Sequence, residues 1–425
     1  MKVKVENLKD SQKHIKIEVE PERVNSVLDK VYSGIQKKAN IPGYRQGKAP
    51  RDLIENHYDK TANDETLNRL IWDAYREAVI QQNLDPVGYP AVDDVNFSKG
   101  NPLTFAVKVD VRPEFKLKGY KGIRVKKKSV DLTEEDMKKG LEQLQESMAQ
   151  YNNIDPRPIA KGDYVVCDYE CFSDGKLIDK NENLWLYISE QLQPKELLEA
   201  LSGAEVNVIK EVEVTYPKDY QYKELAGKKR SYKVTPKQIK QKILPEINDD
   251  LAKDTGQFKD LEELKVKLRE NITTTKKLES ERDIENQIFS FLLKSHSFEI
   301  PVSMVERQVA QLAEEAKRKL LHQGYKKEDL DKEGARLKEG LKNKAEDNVR
   351  LFFIIERIAK QEGIEVADKE LDERVEKIAT GTKEDAVEVR KRLEEKGLID
   401  SLKEQIIHDK IVELLVREAK KGESK

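Results

Sequence analysis

The first hundred residues alternate between strand-like and helix-like spacing of apolar side chains. Apolar residues recur at every second position at Ile15, Ile17 and Val19, which predicts a strand with one buried face. Pro21 then opens a helical pattern, whose apolar positions are Val24, Leu28, Val31 and Ile35. A second helix is predicted with Pro50 in its first turn and an end near Asn83, and alternation returns over 103–111. We expect a compact α+β domain that covers residues 1–112.

The middle of the chain is β-rich. A charged helical connector occupies residues 113–149, and alternation over 165–171 then places four side chains on one strand face: Val165, Cys167, Tyr169 and Cys171. The turn SDGK joins two extended pieces, and further strands are predicted at VIKEVEVTY and RSYKVT, with a short helix KELLEAL before them. We therefore expect a small β domain over residues 150–243.

Residues 244–425 are helical almost throughout. One apolar stripe is formed by Leu261, Leu264, Leu268 and Ile272, and a second by Val305, Val309, Leu312, Ala316 and Leu320. Ser303 and Glu306 stand in capping-box spacing before the second stripe, and Gly363 and Gly397 are placed as C-terminal caps. The stripes contain few aromatic residues, so we expect thin helical arms rather than a thick bundle.

Composition excludes several classes of protein. A length of 425 residues predicts two to four domains, and 79 Lys and Arg against 81 Asp and Glu argue against a surface built to coat nucleic acid. The longest apolar run, over 351–355, is far shorter than the ~20 residues of a membrane span, so we expect a cytoplasmic chain without membrane contact. Cys167 and Cys171 would lie ~13 Å apart on a strand and are predicted to be core residues rather than a disulfide.

One loop between two predicted helices is strongly positive, although the chain as a whole has nearly equal numbers of positive and negative side chains. This loop is NIPGYRQGKAPRD, residues 40–52. Residues 37–51 contain no acidic side chain and five positive ones: Lys37, Lys38, Arg45, Lys48 and Arg51. Gly43 and Gly47 permit positive φ at a tight tip. Tyr44 beside Arg45 offers a stacking face next to a planar guanidinium. From these residues alone two interpretations stay open: a surface that contacts phosphates or bases, or a helix-to-helix turn with solvated lysines.

The same loop resembles the ribosome-docking signature of the bacterial trigger factor family. The pattern is glycine, aromatic, arginine, any residue, glycine, lysine, any residue, proline, and here it reads Gly43-Tyr44-Arg45-Gln46-Gly47-Lys48-Ala49-Pro50. The resemblance implies that the aromatic residue, the arginine and Gln46 touch a ribosomal protein and rRNA beside the tunnel exit. Gln46 stands where the family often has lysine, which affects that one contact. The stretch FEIPVSMVERQV at 298–309 resembles the family's entry into a second C-terminal arm, so the resemblance covers essentially the whole chain.

The resemblance implies an FKBP-type prolyl isomerase in the middle domain. The family pattern then assigns the pocket to Tyr169, Ile178, Asp179, Trp185, Leu197, Tyr222 and Tyr232. Such a pocket needs no acid–base pair, because an apolar site favours the twisted amide over its conjugated ground state. Leu197 after Glu196 replaces the glycine and aromatic floor of the family, and Cys171 replaces a glycine, so we expect weak catalysis.

The resemblance thus implies a multidomain α+β protein: a ribosome-binding N-terminal domain, an FKBP-like domain, and a discontinuous helical chaperone domain with arms. We expect it to bind the ribosome and nascent or unfolded polypeptides, with weak self-association left open. The chain has no GxxxxGK[ST] loop and its histidines are scattered, so no ATP, cofactor or metal site is predicted. Two alternatives remain: a protein that is chiefly a prolyl isomerase, and an assembly chaperone for folded basic proteins such as ribosomal proteins.

Overall fold

The computed structural model describes residues 1–9, 11–42, 44–173, 175–217, 227–325 and 327–423. The chain divides into two compact units. Unit one comprises Met1–Lys128 and Glu281–Lys425, and unit two comprises Ser129–Ser280. Within the described residues, every helix is too short or too polar to cross a bilayer.

Unit one begins with a four-stranded antiparallel sheet and two helices. The elements are β1 (Lys2–Lys9), β2 (Gln12–Val19), α1 (Pro21–Lys38), α2 (Arg51–Gln81), β3 (Pro86–Asn96) and β4 (Leu103–Val111). The strand order is β1-β2-β4-β3. Ile15, Ile17 and Val19 are buried as their spacing predicts, and they pack against Leu70 and Ala74 of α2. The predicted strands and helices are thereby confirmed, except that Pro50 is the N-cap of α2 rather than a residue of its first turn.

A short strand, β5 (Arg124–Lys127), ends the first segment of unit one. Unit two then contains α3 (Glu134–Ser147), β6 (Gln150–Asn153), β7 (Tyr164–Ser173), β8 (Lys176–Tyr187), α4 (Lys195–Leu201), β9 (Lys210–Thr215), β10 (Lys229–Ile243) and α5 (Asp249–Asp254). The antiparallel sheet has the order β6-β10-β7-β8, and β9 also pairs with β10. One sheet face packs against α4 through a core that includes Cys167 and Leu201. The β-rich domain and the KELLEAL helix are thus confirmed.

Helix α6 (Leu261–Ser295) contains the boundary between the two units. The rest of unit one is helical: α7 (Val302–His322), α8 (Lys327–Lys332), α9 (Gly334–Glu362), α10 (Asp368–Thr382), α11 (Ala386–Glu395) and α12 (Ile399–Glu418), followed by β11 (Lys420–Glu423), which pairs with β5 in parallel. Gly363 and Gly397 follow helix ends with φ of 63° and 64°, as a C-terminal cap requires. The all-helical expectation for this segment is therefore confirmed, apart from β11.

The predicted capping box of Ser303 and Glu306 is wrong. Helix α7 begins at Val302 with Pro301 as its N-cap, so Ser303 lies inside the first turn. Ser303 instead turns to β4, where its N–H donates to Asp110 Oδ2 at 3.0 Å and its hydroxyl donates to the same oxygen. Ser303 and Glu306 have the spacing of a capping box, but Ser303 hydrogen-bonds instead to Asp110, 193 residues away in the sequence.

Candidate functional site

The loop between α1 and α2 is fixed at both of its ends. Ile41 and Ala49 are 6% and 5% exposed and pack in one cluster with Leu28 and Ile54. Gln36 Nε2 donates a hydrogen bond of 2.7 Å to the carbonyl of Ala49. The two helices therefore hold the ends of the loop through buried apolar contacts.

The tip between those ends is exposed and turns tightly. Tyr44 is 44% exposed, and Arg45, Gln46 and Lys48 are also exposed. The N–H of Lys48 donates to the carbonyl of Arg45 at 2.9 Å, a turn that Gly47 permits with a φ of 80°. Gln46 Nε2 reaches back to the carbonyl of Lys38 at 3.3 Å. Gly43, the other predicted tip glycine, lies outside the described residues.

The structure reduces the free positive charge of this loop from five to four. Arg51 donates to the carboxylates of Asp29 and Glu55, the latter at 2.6 Å. These hydrogen bonds, first that of Asp29 and then that of Glu55, raise the pKa of Arg51 further. Four cations have no carboxylate partner among the residues that the structure describes: Lys37, Lys38, Arg45 and Lys48. Arg51 therefore ties α2 to α1, and the other four remain available to an anionic partner.

Unit two brings together several of the predicted pocket residues on the sheet face that carries α4. The rings of Tyr169 and Tyr232 lie 6.5 Å apart on neighbouring strands. The Tyr169 hydroxyl donates to the carboxylate of Asp179, while the Tyr232 and Tyr216 hydroxyls are 2.7 Å apart. Burial, followed by the Asp179 carboxylate, raises the pKa of Tyr169 to about 12, and burial, followed by Tyr216, raises the pKa of Tyr232. Both phenols are therefore neutral hydrogen-bonding groups near pH 7.

Leu197 of α4 packs against this group. It belongs to the same apolar clusters as Tyr232, and Ile178 of β8 remains half-exposed. The two cysteines are buried and unbridged, as predicted. Burial raises the pKa of Cys167 to about 11 and also raises that of Cys171, so neither thiol is a nucleophile at neutral pH. The aliphatic side chain of Leu197 thus lies beside a group of tyrosines.

Among the described residues, the predicted pocket residue Trp185 does not belong to this group. Trp185 pairs with Val166 across β8 and β7, and alternation places both on the sheet face opposite Val165 and Cys167. Trp185 is also 47% exposed, so the expectation of an aromatic wall at this position does not fit the strand register. Tyr222 lies outside the described residues. Conversely, Tyr216 joins the group through Tyr232 although its only signal in the sequence was its place at the end of a predicted strand.

No set of three or more potential metal ligands occurs in the described parts of the chain. Neutral phenols and aliphatic side chains around a half-open face can instead bind an apolar ring such as that of proline. Such a surface assists rotation about an X–Pro bond, because the barrier falls when the twisted amide is stabilised.

Comparison with known proteins decides the family. Three family models match: bacterial trigger factor protein over residues 1–144, its C-terminal region over residues 260–417, and FKBP-type peptidyl-prolyl cis-trans isomerase over residues 155–241. The trigger factor of Halothermothrix orenii is 33% identical and covers 98% of this chain and 99% of its own length. The chain belongs to the trigger factor family. The trigger factor of Geobacillus sp. agrees, with 35% identity over 99% of both chains.

Membership of this family makes the protein a ribosome-associated, ATP-independent chaperone that binds nascent chains and carries an FKBP-type isomerase domain. A solved structure described as "Promiscuous Substrate Recognition in Folding and Assembly Activities of the Trigger Factor Chaperone" covers 98% of this chain and 100% of its own. Its identity to this chain is 23% and its TM-score is 0.47. The family and the isomerase domain expected from the sequence are confirmed.

Proposed function

We propose that the chain docks at the ribosomal tunnel exit through the tip formed by Tyr44, Arg45, Gln46, Gly47 and Lys48, together with Gly43. The exposed cationic tip on two buried ends is the observation that carries this proposal. A guanidinium and an ammonium group contact rRNA phosphates, while the tyrosine ring stacks on a base or packs on a ribosomal protein. The buried ends hold the tip in shape before binding, which lowers the entropy lost on docking.

Replacing Tyr44, Arg45 and Gln46 together by alanine tests this docking site. The triple variant should lose most co-sedimentation with ribosomes, and the salt dependence of the remaining binding should be shallower because a phosphate contact is gone. A matched control replaces three exposed residues of the same types in the same sheet-and-helix segment: Tyr89, Arg76 and Gln82. Equal binding by both triple variants would contradict the docking assignment.

We also propose that Tyr169, Ile178, Asp179, Leu197 and Tyr232 form the isomerase pocket. The contact of two tyrosines from adjacent strands with a leucine on α4 supports this assignment. The Tyr169 hydroxyl is held by Asp179, so the ring is oriented before a proline enters. An aliphatic floor has less flat area than an aromatic ring and stabilises a twisted prolyl amide less, which gives slow catalysis.

Leu197→Phe should raise the rate of prolyl isomerisation by up to about 10-fold, since an aromatic contact contributes about 0.5–1.5 kcal/mol and 1.4 kcal/mol is tenfold in rate. The assay is isomerisation of a short proline peptide. Leu198→Phe is the matched control, because Leu198 lies on the same helix and in the sheet-facing core but not in the second cluster around Tyr232. An unchanged rate in Leu197→Phe, or an equal gain in Leu198→Phe, would contradict the proposed floor.

We also propose a division of the chain into four segments and a cytoplasmic location for the protein. The segments 1–112, 113–149, 150–243 and 244–425 are supported by strand ends at Val111 and Ile243 and by the start of β6 at Gln150. We place the protein in the cytoplasm, partly on ribosomes. Weak self-association would use exposed apolar side chains of α7 such as Val302 and Leu321.

A further inference from the structure

Unit two carries four contacting aromatic rings on the sheet face opposite the isomerase pocket. We name this group the aromatic patch: Tyr151 of β6, Tyr164 of β7, and Trp185 and Tyr187 of β8. Tyr164 pairs with Tyr187, and Trp185 pairs with Val166, so these residues share the face that the pocket does not use. The isomerase pocket therefore does not account for them.

The rings of the aromatic patch hold each other in place. Tyr164 stacks on Tyr187 at 4.7 Å, and Tyr151 lies nearly perpendicular to both Tyr164, at 4.8 Å, and Trp185, at 5.4 Å. Such edge-to-face and stacked pairs are favourable geometries for aromatic rings. Trp185 and Tyr187 are nevertheless each 47% exposed. The patch thus presents two flat apolar surfaces to solvent in fixed orientations.

The charges around the patch argue against a nucleic acid as its partner. Lys240 places its ammonium 5.1 Å from the centre of the Trp185 ring and has no carboxylate partner among the residues described. The neighbouring lysines of β10 are neutralised, Lys237 by Asp168 at 2.7 Å and Lys242 by Glu146. One free cation is too little for a strand of phosphates, whose binding depends on several.

We propose that the aromatic patch binds an extended, proline-rich polypeptide segment in the polyproline II conformation. Proline rings pack on flat aromatic faces, and the carbonyls of a polyproline II helix are free to accept hydrogen bonds. Among the described residues, the indole N–H of Trp185 and the hydroxyl of Tyr187 have no protein hydrogen-bond partner, so both can donate to such carbonyls. This binding site is separate from the isomerase pocket and does not depend on its assignment.

The chain offers an optical reporter for the test, because it contains two tryptophans, Trp72 and Trp185. In the full-length Trp72→Phe variant, the fluorescence of Trp185 is followed while a short peptide of alternating alanine and proline is added. We expect a saturable change, and at least ~10-fold weaker binding of a peptide with serine at every proline position, since tenfold corresponds to about 1.4 kcal/mol. Equal binding of the two peptides, or no saturable change, would overturn the proposal.

Variants distinguish the patch from other surfaces. Tyr187→Ser should weaken peptide binding by about 10-fold and leave isomerase activity unchanged, whereas Tyr89→Ser, at an exposed tyrosine of unit one, should have no effect. Lys240→Met should keep or strengthen peptide binding, because it removes a cation that competes for the Trp185 face. Weaker binding of the proline peptide in Lys240→Met would contradict the proposed use of the Trp185 face and overturn the proposal. Tighter binding of a single-stranded oligouridylate than of the proline peptide would indicate a nucleic-acid surface and would also overturn it. Loss of isomerase activity in Tyr187→Ser would also contradict it.

Discussion

Replacing Asp110 by alanine should loosen the start of helix α7 from the N-terminal sheet. Asp110 lies on β4 and is only 6% exposed. Its carboxylate accepts the N–H of Ser303 at 3.0 Å, the Ser303 hydroxyl, and Gln12 Nε2 at 3.1 Å. These hydrogen bonds join two segments of unit one that are far apart in the sequence. The side chain therefore acts as a cap for α7 that is supplied from another element.

The size of the effect follows from the number and type of these hydrogen bonds. A hydrogen bond to a charged group contributes about 1.5–3 kcal/mol, and an unsatisfied buried donor costs about 1–3 kcal/mol. Because Ser303 and Gln12 are partly exposed, water can replace some of the lost contacts, and we expect Asp110→Ala to lower the free energy of unfolding by about 3 kcal/mol. A double-mutant cycle of Asp110→Ala with Ser303→Ala should show a coupling of about 1.5–3 kcal/mol.

The assay uses urea unfolding of the full chain in a Trp185→Phe background, so that the fluorescence of Trp72 reports on unit one. A second cycle combines Ser303→Ala with Glu306→Ala, the pair that a capping box would couple. We expect a coupling close to zero for this second cycle. A coupling between Ser303 and Glu306 as large as that between Ser303 and Asp110 would show that Asp110 is not the principal partner of Ser303.

Two further predictions concern charge and backbone strain. Glu404 is exposed to solvent on one side, but partial burial, followed by repulsion from Glu356, raises the pKa of its carboxyl in the folded state. The ionised form therefore costs stability above that pKa. Glu404→Gln should therefore raise the urea midpoint of unfolding at pH 7. This gain should vanish below about pH 4, where the carboxyl is protonated in both the folded and the unfolded state. A gain at all pH values would show that ionisation of Glu404 is not its cause. Gly47→Ala should weaken ribosome co-sedimentation by about 5-fold, because the φ of 80° costs alanine about 1 kcal/mol. Gly100→Ala, at an equally positive φ outside the loop, should leave co-sedimentation unchanged. Equal losses in the two variants would exclude the loop as the cause.

The elements that the sequence predicts are those with one continuously buried face. Strand β4 buries nearly every residue and α1 buries one stripe, so both leave a clear period in the sequence. The sequence pattern does not predict strands β1 and β3. These strands are the two edges of the sheet, and β3 buries none of its residues fully. An edge strand pairs through its backbone on one side and needs little apolar alternation.

In the functional sites, the sequence likewise predicts features that depend on neighbouring residues but not those that depend on residues far away in the chain. The exposed tip at Tyr44 and Arg45 follows from glycine, proline and charge within one loop, and the structure agrees. The neutralisation of Arg51 by Asp29 depends on a residue 22 positions away. The face of Trp185 depends on a register shift between Cys167 and Tyr169, which changes the side that later residues occupy. Neither feature has a signal in the local sequence.

The structure also makes it possible to separate the chaperone function from the isomerase. Gln150 pairs directly with Ile243, so the ends of the segment 150–243 lie only about 5 Å apart at their Cα atoms. Gln145 Nε2 additionally donates to the carbonyl of Pro245 at 2.8 Å, which holds the flanking chains together outside the segment. A linker of a few glycine and serine residues can therefore replace 150–243 without moving its neighbours.

If the helical arms carry the principal chaperone function, this deletion variant should still suppress aggregation of a diluted unfolded client, followed by light scattering. Val302→Lys with Leu321→Lys should weaken that suppression in the full chain, because both exposed apolar side chains of α7 would contribute weak contacts to clients. Ile80→Lys, at an 80% exposed position of α2, is the matched control and should protect normally. Loss of protection in the deletion variant, with the α7 variant still fully protective, would favour a protein that acts chiefly as a prolyl isomerase. Retained protection against unfolded clients would also count against an assembly chaperone restricted to folded basic proteins, since those clients present native surfaces.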